Sequence, residues 1–251
     1  MAITIITVGL APSWDVIYQF KDGIDWGTHP EVSVKDKTPA GKAFNVSKAL
    51  GAMGVPSKAS GLWGKDDLPL LKSYVQKHYP LISLHMSSTP GTTRENVTVV
   101  DQKQMREMHL RNQNDLLSKT SLKNLKIKLT VHCKQNNIMV FGGAMREPRY
   151  FAAVNTMFKQ YGVENVKIAL DTSGPALPYH VNKGHVWLVK PNLAELSQLV
   201  GIDVPDNQAA IIAAASSILH KVPYLLVSRG ARGVILVSID GVYKANYCGK
   251  P

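Results

Sequence analysis

Cysteine is scarce: Cys133 and Cys248 are the only two in 251 residues. They are too few and too far apart for a disulfide framework or a zinc site. Long apolar runs are missing as well, and none reaches the length that spans a bilayer. The N-terminal ITIITVGL is short, carries no basic flank, and reads as a buried strand rather than a signal sequence. These absences give the expectation of a soluble, cytoplasmic protein with no membrane partner. Acidic residues are in deficit, 18 against 29 Lys and Arg, for a formal charge of +11. The excess favours anionic partners, with nucleic acid, membrane surface and small phosphorylated ligands all compatible. The densest basic run, Lys119, Lys123, Lys126, Lys128 and Lys134, has no aromatic residue between its charges. It reads as the solvated side of a helix, so no specific nucleic-acid binding is expected. Internal repeats, low-complexity tracts and obvious linkers are lacking. Gly64-Lys65 is not a Walker A loop either, because position 59 is Ala and position 66 is Asp.

What is present is ordinary globular material, 45% hydrophobic and 19% charged, long enough to bury a sizeable core. Residues 3–10 have strand length and continuous apolar character. Val16, Tyr18 and Phe20, then Val32 and Val34, alternate; so do Val97 and Val99, then Met108 and Leu110. Both regions suit half-exposed antiparallel strands pairing into a small sheet outside the main core. Elsewhere helical and strand patterns take turns. Leu68, Leu71 and Val75 mark a helix ended by Tyr79-Pro80, and Leu122, Leu125 and Leu129 mark another before a strand at 138–141. A stripe of Phe151, Val154, Phe158 and Tyr161 precedes a strand at 166–170. A strand at 186–189, a helix from Leu193, a helix at 209–219 and a strand at 224–227 follow. Residues 234–237 and 242–245 form a hairpin across Asp240-Gly241. This alternation predicts βαβ units: one α/β domain over residues 1–251, with a largely parallel sheet, helices on both faces and a small β lobe.

In such sheets ligands sit outside the carboxyl ends of the strands. Six stretches deserve inspection there. Pro39 to Gly54, PAGKAFNVSKALGAMG, places Val46, Ala49, Leu50 and Met53 on one helical face, predicting a helix packed through it and stopped by Gly54. In front of it Gly41 lets backbone approach a ligand, Lys42 supplies charge, and Asn45 both donates and accepts hydrogen bonds. A plain loop-to-helix junction explains the local pattern equally. Asp15, ending LAPSWD, can accept two sugar hydroxyl hydrogens or be a turn aspartate. Arg94, in GTTR, can fork onto a phosphate or be a surface charge. In FGGA the glycine pair serves a ligand or a turn. In KPNLAE, Asn192 and Glu195 have capping-box spacing, and the same carboxylate can order water or Mg²⁺ near phosphates. In SRGARG the glycines make a tight turn or face nucleotide phosphates together with Ser228.

Taken in order, LAPSWD, AGKAFN, GTTR, FGGA, KPNLAE and SRGARG resemble the PfkB, ribokinase-like, family of sugar kinases over nearly the whole chain. The resemblance is greatest to its phosphosugar branch: 1-phosphofructokinases, tagatose-6-phosphate kinases and minor 6-phosphofructokinases. It implies a doubly wound α/β domain with a β lid, its strands from about 14–38 and 92–111, that closes over the sugar and often forms a homodimer contact. It implies transfer of the ATP γ-phosphate, with Mg²⁺, to a hydroxyl of a sugar, here a hexose phosphate. By position Asp15, Gly41, Lys42 and Asn45 would hold the sugar and Arg94 its existing phosphate. Lys190, Asn192 and Glu195 would serve Mg²⁺ and phosphate, Glu195 through water, while Ser228, Gly230 and Gly233 would border the nucleotide. Three departures stand out. Ala40 and Ala43 replace the outer glycines of Gly-Gly-Lys-Gly. Gly143 and Met145-Arg146-Glu147 stand where serine and Pro-x-Gly are usual. The Gly-Ala-Gly-Asp helix start, whose Asp is the family's catalytic base, would follow a strand at 242–247, but the sequence stops at Pro251 first. The expectation is therefore a piece of a longer kinase, lacking the C-terminal part of the fold and inactive alone. The alternative is a non-catalytic sugar-phosphate-binding protein or pseudokinase.

Overall fold

The computed structural model describes residues 3–113, 116–133 and 135–246. Lys134, Cys248 and the end of the strand expected at 242–247 lie outside the described residues. The chain begins with β1 (Ile5–Gly9), β2 (Ser13–Phe20) and β3 (Val34–Ala40), then α1 (Lys42–Ala52) and β4 (Ser57–Gly64). Next come α2 (Leu68–His78), β5 (Ile82–Thr89), β6 (Glu95–Asp101), β7 (Arg106–Arg111) and α3 (Lys119–His132). The remainder alternates: β8 (Ile138–Gly142), α4 (Phe151–Val163), β9 (Lys167–Asp171), α5 (Ala176–Asn182) and β10 (Leu188–Val189). It closes with α6 (Leu193–Val200), α7 (Gln208–Ser216), β11 (Tyr224–Ser228), β12 (Val234–Ser238) and β13 (Gly241–Ala245).

Nine strands form one sheet in the order β13-β12-β11-β10-β9-β8-β1-β4-β5. Its pairs are parallel from β5 to β11, and only the β11–β12–β13 edge is antiparallel. This is a mixed α/β fold with a large, mostly parallel sheet. Strand side chains alternate between faces, and β4 divides its own accordingly. Leu62 joins the larger core cluster with residues of α3 to α7, while Ala59 and Trp63 join a second cluster with Phe44 of α1 and Leu71 and Val75 of α2. Helices thus cover both faces over β4 and β5. Across β10 to β12 the second face carries Leu188, Leu226 and Leu236, each half-buried. The expectation of helices on both faces holds for one half of the sheet among the described residues.

A second sheet has the order β3-β2-β6-β7. Its outer pairs are antiparallel, as expected, but β2 and β6 run parallel. The reason is connectivity: both strands enter from the carboxyl end of the large sheet, β2 from β1 and β6 after β5. Capping explains several helix starts. The Ser118 side chain accepts from Ser121 N, and Asn207 from Ala210 N.

The helix expected after Gly41 is present, but it packs through a different face. Val46 and Leu50 are half-buried, Ala49 is exposed, and Met53 retains 69% of its surface. The buried positions are Ala43, Phe44 and Ser47. Ser47 Oγ lies 2.8 Å from Thr7 Oγ1 and accepts from Ser57 Oγ at 3.0 Å, so small polar groups bring α1 onto β1 and β4. Hydroxyl pairs, invisible to an apolar count, set the helix rotation. The β4, β5 and α5 elements have no counterpart in the sequence reading, and β10 is only two residues long.

Candidate active site

At the carboxyl ends of β1, β8 and β9, beneath the small sheet, lies a cavity of about 480 Å³. Its lining includes Asp15, Gly41, Lys42, Asn45 and Arg94, the five residues expected to hold a sugar phosphate. Each arrives by a different route. Gly41 caps α1 at φ 112°, and a Cβ there would stand 3.1 Å from Pro12 Cα, so glycine lets α1 start directly against the β1–β2 turn. Lys42 and Asn45 follow in the first turn of α1. On β2, Asp15 accepts from Asn96 Nδ2 at 3.0 Å and from Ser13 Oγ at 3.3 Å, leaving its second carboxylate oxygen for another donor. Arg94 reaches across from the start of β6. Its Nε donates to Pro12 O at 3.2 Å and Nη2 to Ala11 O at 3.4 Å. These bonds fix the guanidinium against main chain and leave part of its fork for a ligand.

The other predicted residues form a neighbouring group, joined to the cavity through a residue that the motifs did not flag. Asp171 ends β9 with its carboxylate largely buried. One oxygen lies 3.0 Å from Lys42 Nζ and the other 3.4 Å from Lys190 Nζ. Glu195 Oε1 stands 3.9 Å from the same Lys42 ammonium. Lysines 42 and 190 thereby tie α1, β9 and the start of α6 into one charged cluster. Asp171 could have been found from sequence, since it follows the predicted strand at 166–170 at the end where such sheets bind ligands.

Asn192 and Glu195 make the full capping box. Glu195 N donates to Asn192 Oδ1 and Asn192 N to Glu195 Oε2, both at 2.9 Å. The structural role is therefore present, and Glu195 Oε1 remains directed toward Lys42 alone. Ser228 lies beside this helix start, bridging Asn192, with its hydroxyl 3.4 Å from Pro191 O. Gly230, at φ 59°, opens a one-turn 3₁₀ helix held by Arg229, whose Nε donates to Asp206 Oδ1 at 2.8 Å. Gly233 has a structural requirement of its own: a Cβ there would fall 2.0 Å from Ala245 O on β13. None of Lys190, Asn192, Glu195, Ser228, Gly230 and Gly233 lines the cavity. The remaining lining residues that sequence reasoning missed include Ser13, Asn96, Arg111, Arg146 and Ser173.

The carboxylates Asp171 and Glu195 are hard oxygen donors of the kind Mg²⁺ takes. Among the described residues there is no group of three His, Cys, Asp or Glu that could hold a metal alone. A magnesium ion would fit here as Mg²⁺ usually does beside nucleotides, by one or two carboxylates, water and phosphate oxygens together. No helix among the described residues is long and apolar enough to cross a membrane.

Comparison with known proteins agrees with this arrangement. The chain is 27% identical over 248 residues to the 1-phosphofructokinase of Haemophilus influenzae, covering 96% of this chain and 76% of that one. It is 26% identical over 250 residues to a tagatose-6-phosphate kinase of Staphylococcus epidermidis, covering 96% and 77%. In fold it matches phosphofructokinase-2 from Escherichia coli in complex with fructose-6-phosphate, with TM-score 0.87, 21% identity and coverage of 99% and 80%. Ribokinase from Giardia lamblia matches with TM-score 0.73, 15% identity and coverage of 100% and 77%. The model of the pfkB family of carbohydrate kinases matches residues 7–250, and the chain belongs to that family.

Proposed function

We propose that this chain is a sugar kinase that uses ATP and acts on a hexose phosphate. The observation that carries the reading is the single cavity lined by Asp15, Gly41, Lys42, Asn45 and Arg94, with Lys42 also bound to Asp171. Sugar hydroxyls need paired acceptors and donors at fixed spacing. Asp15, held by Ser13 and Asn96, supplies a carboxylate, and Asn45 supplies an amide. Arg94 presents the rest of its fork to the phosphate that the sugar already carries.

ATP, with Mg²⁺, would supply the transferable phosphoryl group. Phosphoryl transfer depends on positioning and charge neutralisation. Lys42, held by Asp171 and Glu195, supplies positive charge between the sugar cavity and the second cluster. Lys190 and Asn192 would face the nucleotide phosphates, Ser228, Gly230 and Gly233 the nucleotide, and Glu195 would order water on the metal. The small sheet would act as the lid, excluding water and offering a surface for a homodimer. We assign Asp15 to substrate hydroxyls and no described residue to the base. The base that the resemblance implies is the Asp of a Gly-Ala-Gly-Asp helix start, a tetrapeptide absent from residues 1–251.

The test is coupled ADP release with fructose 6-phosphate, fructose 1-phosphate and tagatose 6-phosphate, on mass-verified protein, beside calorimetric binding. A polypeptide of residues 1–251 alone should bind a hexose phosphate and turn it over negligibly, since losing a general base costs about 10²–10⁴-fold. Turnover that disappears in Asp15→Asn while binding persists would make Asp15 the base and overturn the assignment. Absence of hexose phosphate binding would overturn the function itself.

A further inference from the structure

The cavity holds more positive charge than the sugar reading uses. Its lining contains four cationic side chains of Lys and Arg, namely Lys42, Arg94, Arg111 and Arg146, and a single acidic one, Asp15. The Lys42 charge is matched by Asp171 at 3.0 Å. Three arginines against one carboxylate leave two positive charges facing the same space. Among the described residues, the side chains of Arg111 and Arg146 make no hydrogen bond or ion pair. Arg94 already spends Nε and part of Nη2 on the carbonyls of Pro12 and Ala11.

Register places these groups. Across the small sheet, Asp15 of β2 pairs with Asn96 of β6, and Asn96 pairs with Arg111 of β7. Residues in one such row share a face, so Arg111 stands on the cavity side two strands from Asp15, about 10 Å at the usual strand spacing. Arg146 comes from the other body of the cavity, in the loop after β8 beside Gly143 and Ala144. One arginine thus belongs to the small sheet and the other to the large sheet's loops. Like charges on two walls of one cavity repel. A dianion between them would remove that cost and join the walls.

We propose that Arg111 and Arg146, together with the free part of Arg94, form the subsite for the phosphate monoester of the substrate. This rests on the proposed function and deepens it. The two surplus charges match the charge of a phosphate monoester, about −1.5 to −2 at pH 7. Arginine forks suit its oxygens in bidentate geometry. The phosphate then lies at the edge of the row, away from Asp15 and away from the Lys42–Asp171 cluster where the accepting hydroxyl belongs. Because Arg111 rides on the small sheet and Arg146 does not, a phosphorylated sugar bridges the two and a bare sugar does not. Preference for an already phosphorylated substrate follows from that bridge.

The test is calorimetric titration of wild type, Arg111→Gln and Arg146→Gln with inorganic phosphate, fructose 6-phosphate, fructose 1-phosphate and fructose. Arg146→Lys and the remote Lys119→Gln serve as comparisons. Both arginines are exposed and unpaired, so the variants should keep the wild-type thermal midpoint. Each Gln variant should weaken hexose phosphate and phosphate binding tenfold or more and leave fructose binding unchanged, since charge-assisted hydrogen bonds carry at least that much affinity. Arg146→Lys should recover part of the loss, and Lys119→Gln should match wild type. If wild type binds hexose phosphates and the Gln variants bind them equally, the subsite is wrong and the proposed function stands. If only inorganic phosphate binds, and through these arginines, the subsite stands and the proposed function falls. Binding of neither ligand to wild type overturns both.

Discussion

His180 offers a perturbation whose size can be worked out from its surroundings. It lies in α5 with no exposed surface, ringed by Phe151, Phe158 and Tyr179 at centroid distances of 5.9, 5.0 and 5.2 Å. Neither ring nitrogen has a hydrogen-bond partner among the described residues. Burial in this apolar cage disfavours the imidazolium and pushes its pKa down from 6.5 to about 4. The unfolded chain therefore binds this proton more readily than the folded one. Stability rises with pH between about 4 and 6.5 and, conversely, is lost as pH falls through that window. From pH 7 to pH 5 the loss from this one group is about 2 kcal/mol. With a urea slope near 3 kcal/mol per molar, the midpoint should drop by roughly 0.6 M. His85 and His132 are also shifted down, chiefly by desolvation, and contribute with the same sign. The assay is therefore a difference: urea unfolding at pH 7 and pH 5 for wild type and His180→Leu. The variant should lose most of the His180 share of the pH dependence, because leucine fills the cage without a proton to bind. Equal midpoint shifts in the two proteins would refute the reasoning.

Two further substitutions separate structural from functional roles. Glu195→Gln preserves the capping box, so thermal stability should hold while Mg²⁺-dependent nucleotide binding weakens; an unchanged Mg²⁺ titration would leave Glu195 as a cap only. Leu125→Ala, at a fully buried position where α3 enters the larger cluster, should cost about 2–5 kcal/mol in urea unfolding, and a loss below 1 kcal/mol would mean that the helix is not anchored there.

Sequence periodicity recovers those elements whose packing is apolar on one side. The stripes Leu122, Leu125, Leu129 and Phe151, Val154, Phe158, Tyr161 are buried in the larger cluster, as their spacing requires. It fails where packing is built from small or polar groups. β4, SKASGLWG, is buried at seven of its eight positions between two neighbours, so it has no polar face to alternate with. α5 has seven residues with a proline inside and too little length for a period. α1 was placed correctly but turned wrongly, because Ser47 faces inward on hydroxyl bonds while Met53 faces water.

The site divides in the same way. Residues that act through backbone geometry leave marks in a single sequence: a glycine before a helix, a capping box, a glycine-bounded turn. Five such marks, from Asp15 to Arg94, converge on one cavity. Residues that act through charge alone leave none, because an arginine in a loop and an arginine on a cavity wall read alike. Asp171 acquires meaning only when β9 sets it between Lys42 and Lys190, residues 129 positions before it and 19 after it. Arg111 and Arg146 acquire theirs only when the β2–β6–β7 register turns one toward the loop that carries the other. The three-dimensional charge balance, two positive charges over what the cavity's own carboxylate can match, is the property that singles out a phosphorylated ligand. No linear motif in the chain encodes that sum.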